Sequence, residues 1–377
     1  MTQRDRPGRG GGLFLDGVGH GEGVPRLRRS DCSKPGIVRR RRGRGFSYHW
    51  AETGDRITDP DVLQRVSDLV LPPAWQEVWI CPVANGHLQA IGTDAAGRKQ
   101  YRYHDDWRRR RDTEKFDEML DFARCLPALR AAVEHHLAAE GLGRDRVLAC
   151  AVRLLDVGFF RIGAEIGRSE DGETFGLTTM RKQHVTISGE EIVFEYEAKG
   201  GKHQLQSVVD PAARAIITAL KRRRGGSDEL LAWKQGRLWS DVNATHVNDW
   251  IKAVTGGEYS AKDFRTWNAT VLAAVALAVS GEVGRSKSAG KRAMSRAAQE
   301  VAHYLGNTPT VARNSYIDPR VFDRYQSGWT ISGVLNDLGE GEFGQPSIHV
   351  GVEDAVLDLL ERKTDADGVE RVGSLAS

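Results

Sequence analysis

The sequence predicts an α+β chain, with a small N-terminal antiparallel β-sheet domain followed by a mainly α-helical domain that carries an embedded three-stranded β-meander. Three observations predict it. Period-two segments joined by tight-turn residues cluster between residues 77 and 104, and helical periodicity dominates from residue 116 onward. That periodicity then gives way, between residues 184 and 208, to a second run of strand signals. At 377 residues and 40% hydrophobic content the chain can fill two ordinary cores.

Residues 1–45 hold 12 Lys and Arg against 4 Asp and Glu, whereas the rest holds 42 against 47, so the basic charge sits in the head. With Gly10-Gly11-Gly12 and the run Arg39-Arg40-Arg41-Arg42-Gly43-Arg44, residues 1–44 read as a disordered basic tail. Such a composition buries too little surface to fold but neutralises phosphates well. The plainer alternative is a solvated tail with no specific role.

From Asp59 to Leu71 the spacing of Val62, Leu63, Val66, Leu69 and Val70 is helical, and Pro72-Pro73 ends it. Strands follow at 77–83, 87–93 and 98–104, separated by Asn85-Gly86 and by the turn Asp94–Gly97, which together make a meander. This places the β-rich domain at 45–107. The polar, basic stretch around Arg108, Arg109, Arg110 and Arg111 reads as an interdomain linker near residues 105–113.

A helical domain is expected over 113–350. Its helices fall at 116–126, at 129–137 after a break at Pro127, and at 147–160. Strands at 184–187, 192–198 and 202–208, separated by Ser188-Gly189 and Gly200-Gly201, form the second meander. Helices resume at 211–222, where Asp210 can cap and Pro211 suits the first turn, and at 244–254. Another runs over 260–279, its start fixed by the capping pattern Ser260-x-x-Asp263. A helix at 289–305 stops at Gly306, and Thr308-Pro309 opens a short helix carrying Tyr316. Residues 351–377 are expected to hold one amphipathic helix, 352–362, and a polar tail.

Several function classes are excluded. The longest apolar run, Val271 to Val279, falls well short of the roughly 20 residues needed to cross a bilayer, and the N-terminus lacks a signal-like apolar segment, so a cytoplasmic location is expected. Cys32, Cys81, Cys125 and Cys150 show no CxxC pair, and His135-His136 lacks i, i+4 spacing, so no metal site is expected. Gly284 to Lys291 has the wrong spacing for a phosphate-cradling loop, and no cofactor is expected.

Breaking a phosphodiester by direct attack requires a nucleophile, donors for the charge growing on the nonbridging oxygens, and an acid for the leaving alkoxide. The second half of the chain offers each type. Arg161 and Arg265 lie among apolar neighbours, where a guanidinium needs an anion and can grip two phosphate oxygens at once. Taken singly, each is the kind of arginine that forms a structural ion pair. Lys199 precedes the Gly200-Gly201 turn, a place where most lysines are merely solvated. Tyr316 would need cationic neighbours to favour its phenolate, and Asn307 by itself suits a helix C-terminus.

As an ordered set these residues resemble the type IB DNA topoisomerases, in particular the compact bacterial and poxvirus-like members. The resemblance rests on Gly45-Phe46-Ser47-Tyr48, Leu71-Pro72-Pro73-Ala74-Trp75, Gly97 to His104, Gly176-Leu177-Thr178-Thr179, Lys262-Asp263-Phe264-Arg265-Thr266-Trp267 and Gly306-Asn307-Thr308-Pro309. It covers roughly residues 44 to 330. It implies that Arg161 and Arg265 clamp the scissile phosphate, that Lys199 protonates the departing 5′ oxygen, and that Tyr316 is the nucleophile.

Viral and eukaryotic relatives carry histidine where this chain has Asn307. An amide donates a hydrogen bond but does not exchange a proton near neutral pH, so no general-base role is expected there. The resemblance further implies a 3′-phosphotyrosyl intermediate, rotation of the duplex, religation without ATP or metal, and a monomer clamping double-stranded DNA. In that clamp Gln100, Tyr101 and Tyr103 would reach the groove or backbone, and Arg108, Arg109, Arg110 and Arg111 would contact phosphates. Tyr101 and Tyr103 share a strand face, so packing beneath the sheet is the alternative. A site-specific tyrosine recombinase shares this chemistry but favours His where Lys262 stands, and a noncatalytic DNA-binding protein is the third reading.

Overall fold

The computed structural model describes residues 26–163, 167–169, 172–281, 286–335 and 346–372. The chain divides into two compact units, Met1–Glu114 and Lys115–Ser377, and its architecture is α+β as expected.

The first unit is built on β1 (Ile37–Arg42), β2 (Gly45–Trp50), α1 (Pro60–Asp68), β3 (Gln76–Ile80), β4 (Leu88–Thr93) and β5 (Lys99–Tyr103). The strands form one antiparallel sheet in the order β2-β1-β3-β4-β5. Asp59 caps α1 by accepting from the backbone N–H groups of Asp61 and Val62, with Pro60 in the first turn where no N–H is needed. Val66 and Leu69 of that helical segment join Ile37, Val78, Ile80 and Ala90 in a small core, each large side chain contributing about 1.5–3 kcal/mol.

The sheet is larger than the expected meander, because the arginine run does not belong to a tail. Arg39–Arg42 lie in β1, paired in register with β2 from Arg39↔Tyr48 to Arg42↔Gly45. What holds them is local. The Arg39 guanidinium lies 4.2 Å from the centre of the Phe46 ring and donates to the carbonyls of Pro72 and Trp75 at 3.0 and 2.6 Å. Arg40, Arg41, Arg42 and Arg44 remain exposed at the hairpin end. Residues 26–36 of the expected tail are also placed, with Arg28 bridged to Gly86 and Ser30 bonded to the Leu88 carbonyl, and only residues 1–25 of it lie outside the described residues.

The expected linker at 105–113 is likewise ordered, as the start of α2 (Asp105–Leu137). Asp105 and Asp106 occupy its first turn, favoured there by the helix dipole, and the basic run is interleaved with acids: Arg109 pairs with Asp106 and Arg111 with Glu114. Pro127 does not break this helix. An interior proline costs about 3 kcal/mol, and the buried side chains of Leu126, Leu129, Val133 and Leu137 on either side of it outweigh that.

The second unit continues with α3 (Arg144–Gly158), the short strands β6 (Gly167–Ser169) and β7 (Gly172–Thr174), then β8 (Val185–Ser188), β9 (Glu191–Ala198) and β10 (Lys202–Val209). The last three form the expected meander, in the order β10-β9-β8. Then come α4 (Pro211–Arg222), β11 (Ala232–Gln235), β12 (Leu238–Asp241), α5 (Ala244–Thr255), α6 (Ala261–Ser280), α7 (Lys287–Leu305), α8 (Pro309–Ser315), α9 (Pro319–Gln326), β13 (Trp329–Thr330), α10 (Pro346–Leu360) and β14 (Glu370–Arg371).

The core of this unit gathers around α6, whose Phe264, Trp267, Ala269, Ala273 and Leu277 are buried and which packs against α3, α5 and α7. Its start is fixed as the sequence implies, with the Asp263 carboxylate accepting the Ser260 backbone N–H at 2.8 Å. Among the described residues no helix is long and apolar enough to cross a membrane, and no group of three or more His, Cys, Asp or Glu is gathered as a metal site.

Candidate active site

Arg161 is placed by the end of α3. Phe159 adopts the left-handed conformation, φ 56°, and turns the chain so that Phe160 buries fully against Phe194, ring centres 4.7 Å apart. The next residues are stitched to the segment after β7: Leu177 N–H donates to the Arg161 carbonyl and Thr178 N–H to that of Ile162, both at 2.8 Å. Gly163 and Gly176 pass so close that a Cβ on Gly163 would sit 2.7 Å from the Gly176 Cα. The Arg-Ile-Gly and Gly-Leu-Thr-Thr motifs, apart in the sequence, are thus one structural element.

Arg265 stands one turn into α6 and is only 5% exposed. Its two terminal nitrogens donate to carbonyls of Phe159 and Leu305, the latter at 2.9 Å, while its buried Nε has no partner among the described residues. Burial, then the charge of Arg161, pull its pKa below the usual arginine value. A cation so placed is short of an anion.

Asn307 follows the left-handed Gly306, φ 61°, that ends α7. Its Oδ1 accepts from Arg161 Nη2. Its Nδ2 is buried and has no partner among the described residues.

Tyr316 is the residue that ends α8 rather than a member of it, its N–H returning to the Ala312 carbonyl at 3.0 Å. Thr270 of α6 fixes the loop behind it, accepting the Asp318 N–H at 3.2 Å and lying 3.3 Å from the Tyr316 carbonyl oxygen. Burial alone would raise the phenol pKa. The charges and hydrogen bonds of Arg265 and Arg161 outweigh burial and hold it below its ordinary value. The Arg265 Cζ lies 5.3 Å from the centre of the Tyr316 ring.

The structure therefore brings together Arg161, Arg265, Asn307 and Tyr316. Among the described residues no hydrogen bond joins Lys199 to them. That lysine is exposed in the turn between β9 and β10, where Gly200 and Gly201 take positive φ. In the first unit Tyr101 and Tyr103 are exposed, their rings stacked with centres 6.2 Å apart, which settles their orientation as outward. Gln100 faces the other way by strand alternation and donates to Asp94 at 2.9 Å. Arg108 and Arg110 are exposed, and Arg109 and Arg111 carry the acidic partners named above.

Three further side chains at the site carry no motif. Tyr196, Gln204 and Gln206, on one face of the β9–β10 hairpin, line a cavity together with Arg161, Arg265 and Gly306. Tyr196 donates to Gln206 at 3.2 Å, and Gln206 to the Gly158 carbonyl at 2.9 Å, tying the hairpin to the end of α3. Burial pushes the Tyr196 phenol up to about 12, so it stays protonated beside the two arginines. Strand alternation in 192–198 is the one signal in the sequence that points Tyr196 inward.

Comparison with known proteins identifies the family. The family of the eukaryotic DNA topoisomerase I catalytic core matches residues 104–332, a stretch that holds all five candidate residues. The chain belongs to the type IB DNA topoisomerases. The bacterial DNA topoisomerase IB N-terminal domain matches residues 45–94, over β2 to β4. Relatives include the DNA topoisomerase 1B of Acanthamoeba polyphaga mimivirus, 27% identical over 78% of this chain and 88% of that protein. The DNA topoisomerase 1B of vaccinia virus (strain Copenhagen) is 21% identical over 70% of this chain and 81% of its own. DNA topoisomerase 1 of Candida albicans is 28% identical over 42% of this chain but only 19% of its own. As a type IB topoisomerase the chain is an isomerase whose substrate is DNA, and its α10 lies beyond the matched core.

Proposed function

We propose that this protein relaxes supercoiled duplex DNA by nicking one strand through Tyr316 and resealing it. The observation that carries the reading is the gathering of the Tyr316 phenol with Arg161 and Arg265, which lower its pKa and have no carboxylate partner among the described residues. The Tyr316 oxygen attacks the scissile phosphorus and its proton passes to water. The bond from phosphorus to the 5′ oxygen breaks, leaving a 3′-phosphotyrosyl enzyme and, once Lys199 has delivered a proton, a free 5′ hydroxyl.

Arg161 and Arg265 neutralise the nonbridging oxygens, and the unpartnered Asn307 Nδ2 supplies a neutral donor to one of them. Because one phosphate ester is exchanged for another, the reaction runs in both directions without ATP, and the arginine pair supplies the positive charge without a metal. Lys199 acts once the β9–β10 hairpin meets DNA, for its tip is exposed in the free protein.

Tyr101 and Tyr103 offer an exposed aromatic face to the duplex, and Arg108, Arg109, Arg110 and Arg111 offer phosphate contacts. Gln100 joins them by exchanging Asp94 for DNA. The protein works as a monomer that holds double-stranded DNA with both of its units.

The test is relaxation of supercoiled plasmid in EDTA without ATP. The unaltered protein removes supercoils stepwise and, on denaturation, leaves DNA linked to residue 316. Tyr316→Phe binds DNA with the same salt sensitivity but neither relaxes nor links. Relaxation by that variant would end the assignment of the nucleophile, and strand exchange without relaxation would favour a recombinase.

A further inference from the structure

We propose that Gln204 is a further catalytic residue, its side-chain amide donating a hydrogen bond to a nonbridging oxygen of the scissile phosphate. This rests on the phosphodiester-cleaving reading above and adds to it a group on the same hairpin as Lys199.

Gln204 sits opposite Tyr196 in the β9–β10 register, so both side chains leave the hairpin on the same face. That face lines the cavity formed with Arg161 and Arg265. The Gln204 amide lies against the backbone at Gly306: a Cβ built there would fall 2.9 Å from its Nε2 and 3.1 Å from its Oε1. The next residue is Asn307, whose own amide nitrogen is buried without a partner and whose oxygen receives Arg161. Gln204 therefore shares a cavity with both guanidinium groups, and Asn307 is joined to one of them through the bond from Arg161.

The Gln204 amide is poorly used by the protein. The hydrogen bond it donates runs 3.3 Å to the carbonyl of its own neighbour, His203, a long contact that a phosphate oxygen outcompetes, since charge-assisted bonds are shorter and roughly twice as strong. By contrast Gln206, on the same strand face, is engaged at both ends, by Tyr196 and by the Gly158 carbonyl. Gln206 is a strut and Gln204 is a donor in reserve. Gly306 makes room for it. A side chain at that position would be strained by the positive φ and would push the amide out of the cavity.

The chemistry follows from charge. As the Tyr316 oxygen joins phosphorus, negative charge on the nonbridging oxygens increases, and a fixed amide donor stabilises that state more than the ground state. Gln204 changes no proton count, so the reaction balances as written without it. It lowers the barrier in both directions.

The experiment compares the full-length protein with Gln204→Met, which keeps the packing against Gly306 but removes the donor, and with Gln204→Glu, which places a negative charge beside the phosphate. Single-turnover cleavage is measured at saturating protein on a duplex whose cleavage site has first been mapped by trapping the covalent complex. Three forms of the scissile group are used: the ordinary phosphate, and methylphosphonates of each configuration, in which one or the other nonbridging oxygen is replaced by methyl.

For the ordinary phosphate, Gln204→Met slows cleavage by about 10- to 100-fold, the value of a hydrogen bond to a charged group, with unchanged DNA affinity. Gln204→Glu is slower still. On the methylphosphonate that lacks the contacted oxygen, Gln204→Met and the unaltered protein cleave at nearly the same rate. On its opposite configuration the full defect returns.

Equal slowing on all three substrates would show that the residue acts only on the fold of the pocket, and an unaltered rate for Gln204→Met would show no role; either result overturns the proposal. Failure of the unaltered protein to form any covalent complex would instead remove the parent reading and this one with it.

Discussion

Glu353 tests whether α10, which lies beyond the matched catalytic core, is part of the working fold. Its carboxylate is 8% exposed and accepts three hydrogen bonds: from Arg130 Nη1 at 2.5 Å, from Arg130 Nη2 at 2.9 Å and from the Trp267 indole at 2.9 Å. Trp267 stands two residues after Arg265 in α6. Arg130 also grips Asp156 at 2.8 and 2.9 Å, near the end of α3 from which Arg161 emerges.

In Glu353→Ala the indole N–H is left buried without an acceptor, at a cost of about 1–3 kcal/mol. Arg130 keeps one of its two carboxylates, so its loss is smaller than the roughly 3–5 kcal/mol of a fully broken buried pair. Together these give about 4 kcal/mol. For a unit of this size each kcal/mol moves Tm by about 2–4 °C, so the expected fall is about 8–16 °C. Glu353→Gln, which keeps an acceptor for the indole, should lose about half as much by the same reasoning.

Thermal unfolding of the full-length chain followed by circular dichroism measures both. A double-mutant cycle with Trp267→Phe should return a coupling of about 1–2 kcal/mol. A Glu353→Ala variant that melts together with the unaltered protein would refute the claim that α10 locks the helix bearing Arg265.

Two other outcomes follow from the charges. Tyr316 titrates below its ordinary value of about 10 because the two arginines outweigh burial, so the cleavage rate should rise with pH and level off below that point. Removing the positive charge in Arg265→Ala raises the phenol pKa again. The plateau then moves to higher pH, and a pH–rate profile in which both proteins level off at the same pH would contradict the electrostatic account.

The exposed arginines of the β1–β2 hairpin make a different prediction. Changing Arg40, Arg41, Arg42 and Arg44 to Gln should lower the slope of log binding constant against log salt by about 0.9 for each phosphate that these side chains neutralise, with cleavage at saturating protein unaffected. An unchanged slope, measured by salt titration of duplex binding, would show that the hairpin does not touch DNA.

The elements legible in the sequence are those with local causes. Asp59 with Pro60, Asp210 with Pro211 and Ser260 with Asp263 start helices as their chemistry dictates, and the second meander is bounded by its glycine turns. What is illegible depends on partners distant in sequence. The arginine run reads as a solvated tail because composition does not reveal that Arg39 stacks on Phe46 and reaches carbonyls more than thirty residues away. Pro127 reads as a break because the buried leucines around it cannot be weighed without the core.

The candidate site divides in the same way. The motifs name Arg161, Arg265, Asn307 and Tyr316, and the structure gathers them. Gln204 and Thr270 carry no motif, and only the backbone shows that one faces the arginines and the other braces the tyrosine.

The exposure of Lys199 has a consequence for the proposed reaction. The half of the site proposed to stabilise charge is already assembled, its arginines held by backbone carbonyls and by Asn307. Lys199, the proposed proton donor, stands at the tip of a hairpin whose base is anchored through Tyr196, Gln206 and Gly158 but whose turn is exposed. In the proposed reaction attack without protonation of the leaving oxygen is slow, so cleavage would wait until DNA draws the tip inward. By microscopic reversibility the same lysine, now neutral, takes the proton back when the 5′ hydroxyl reseals the strand. Placing the tip correctly therefore speeds both directions alike and leaves the balance between nicked and sealed DNA unchanged. That balance lies with interactions made in one ester state and not in the other, which contacts to nonbridging oxygens common to both do not supply.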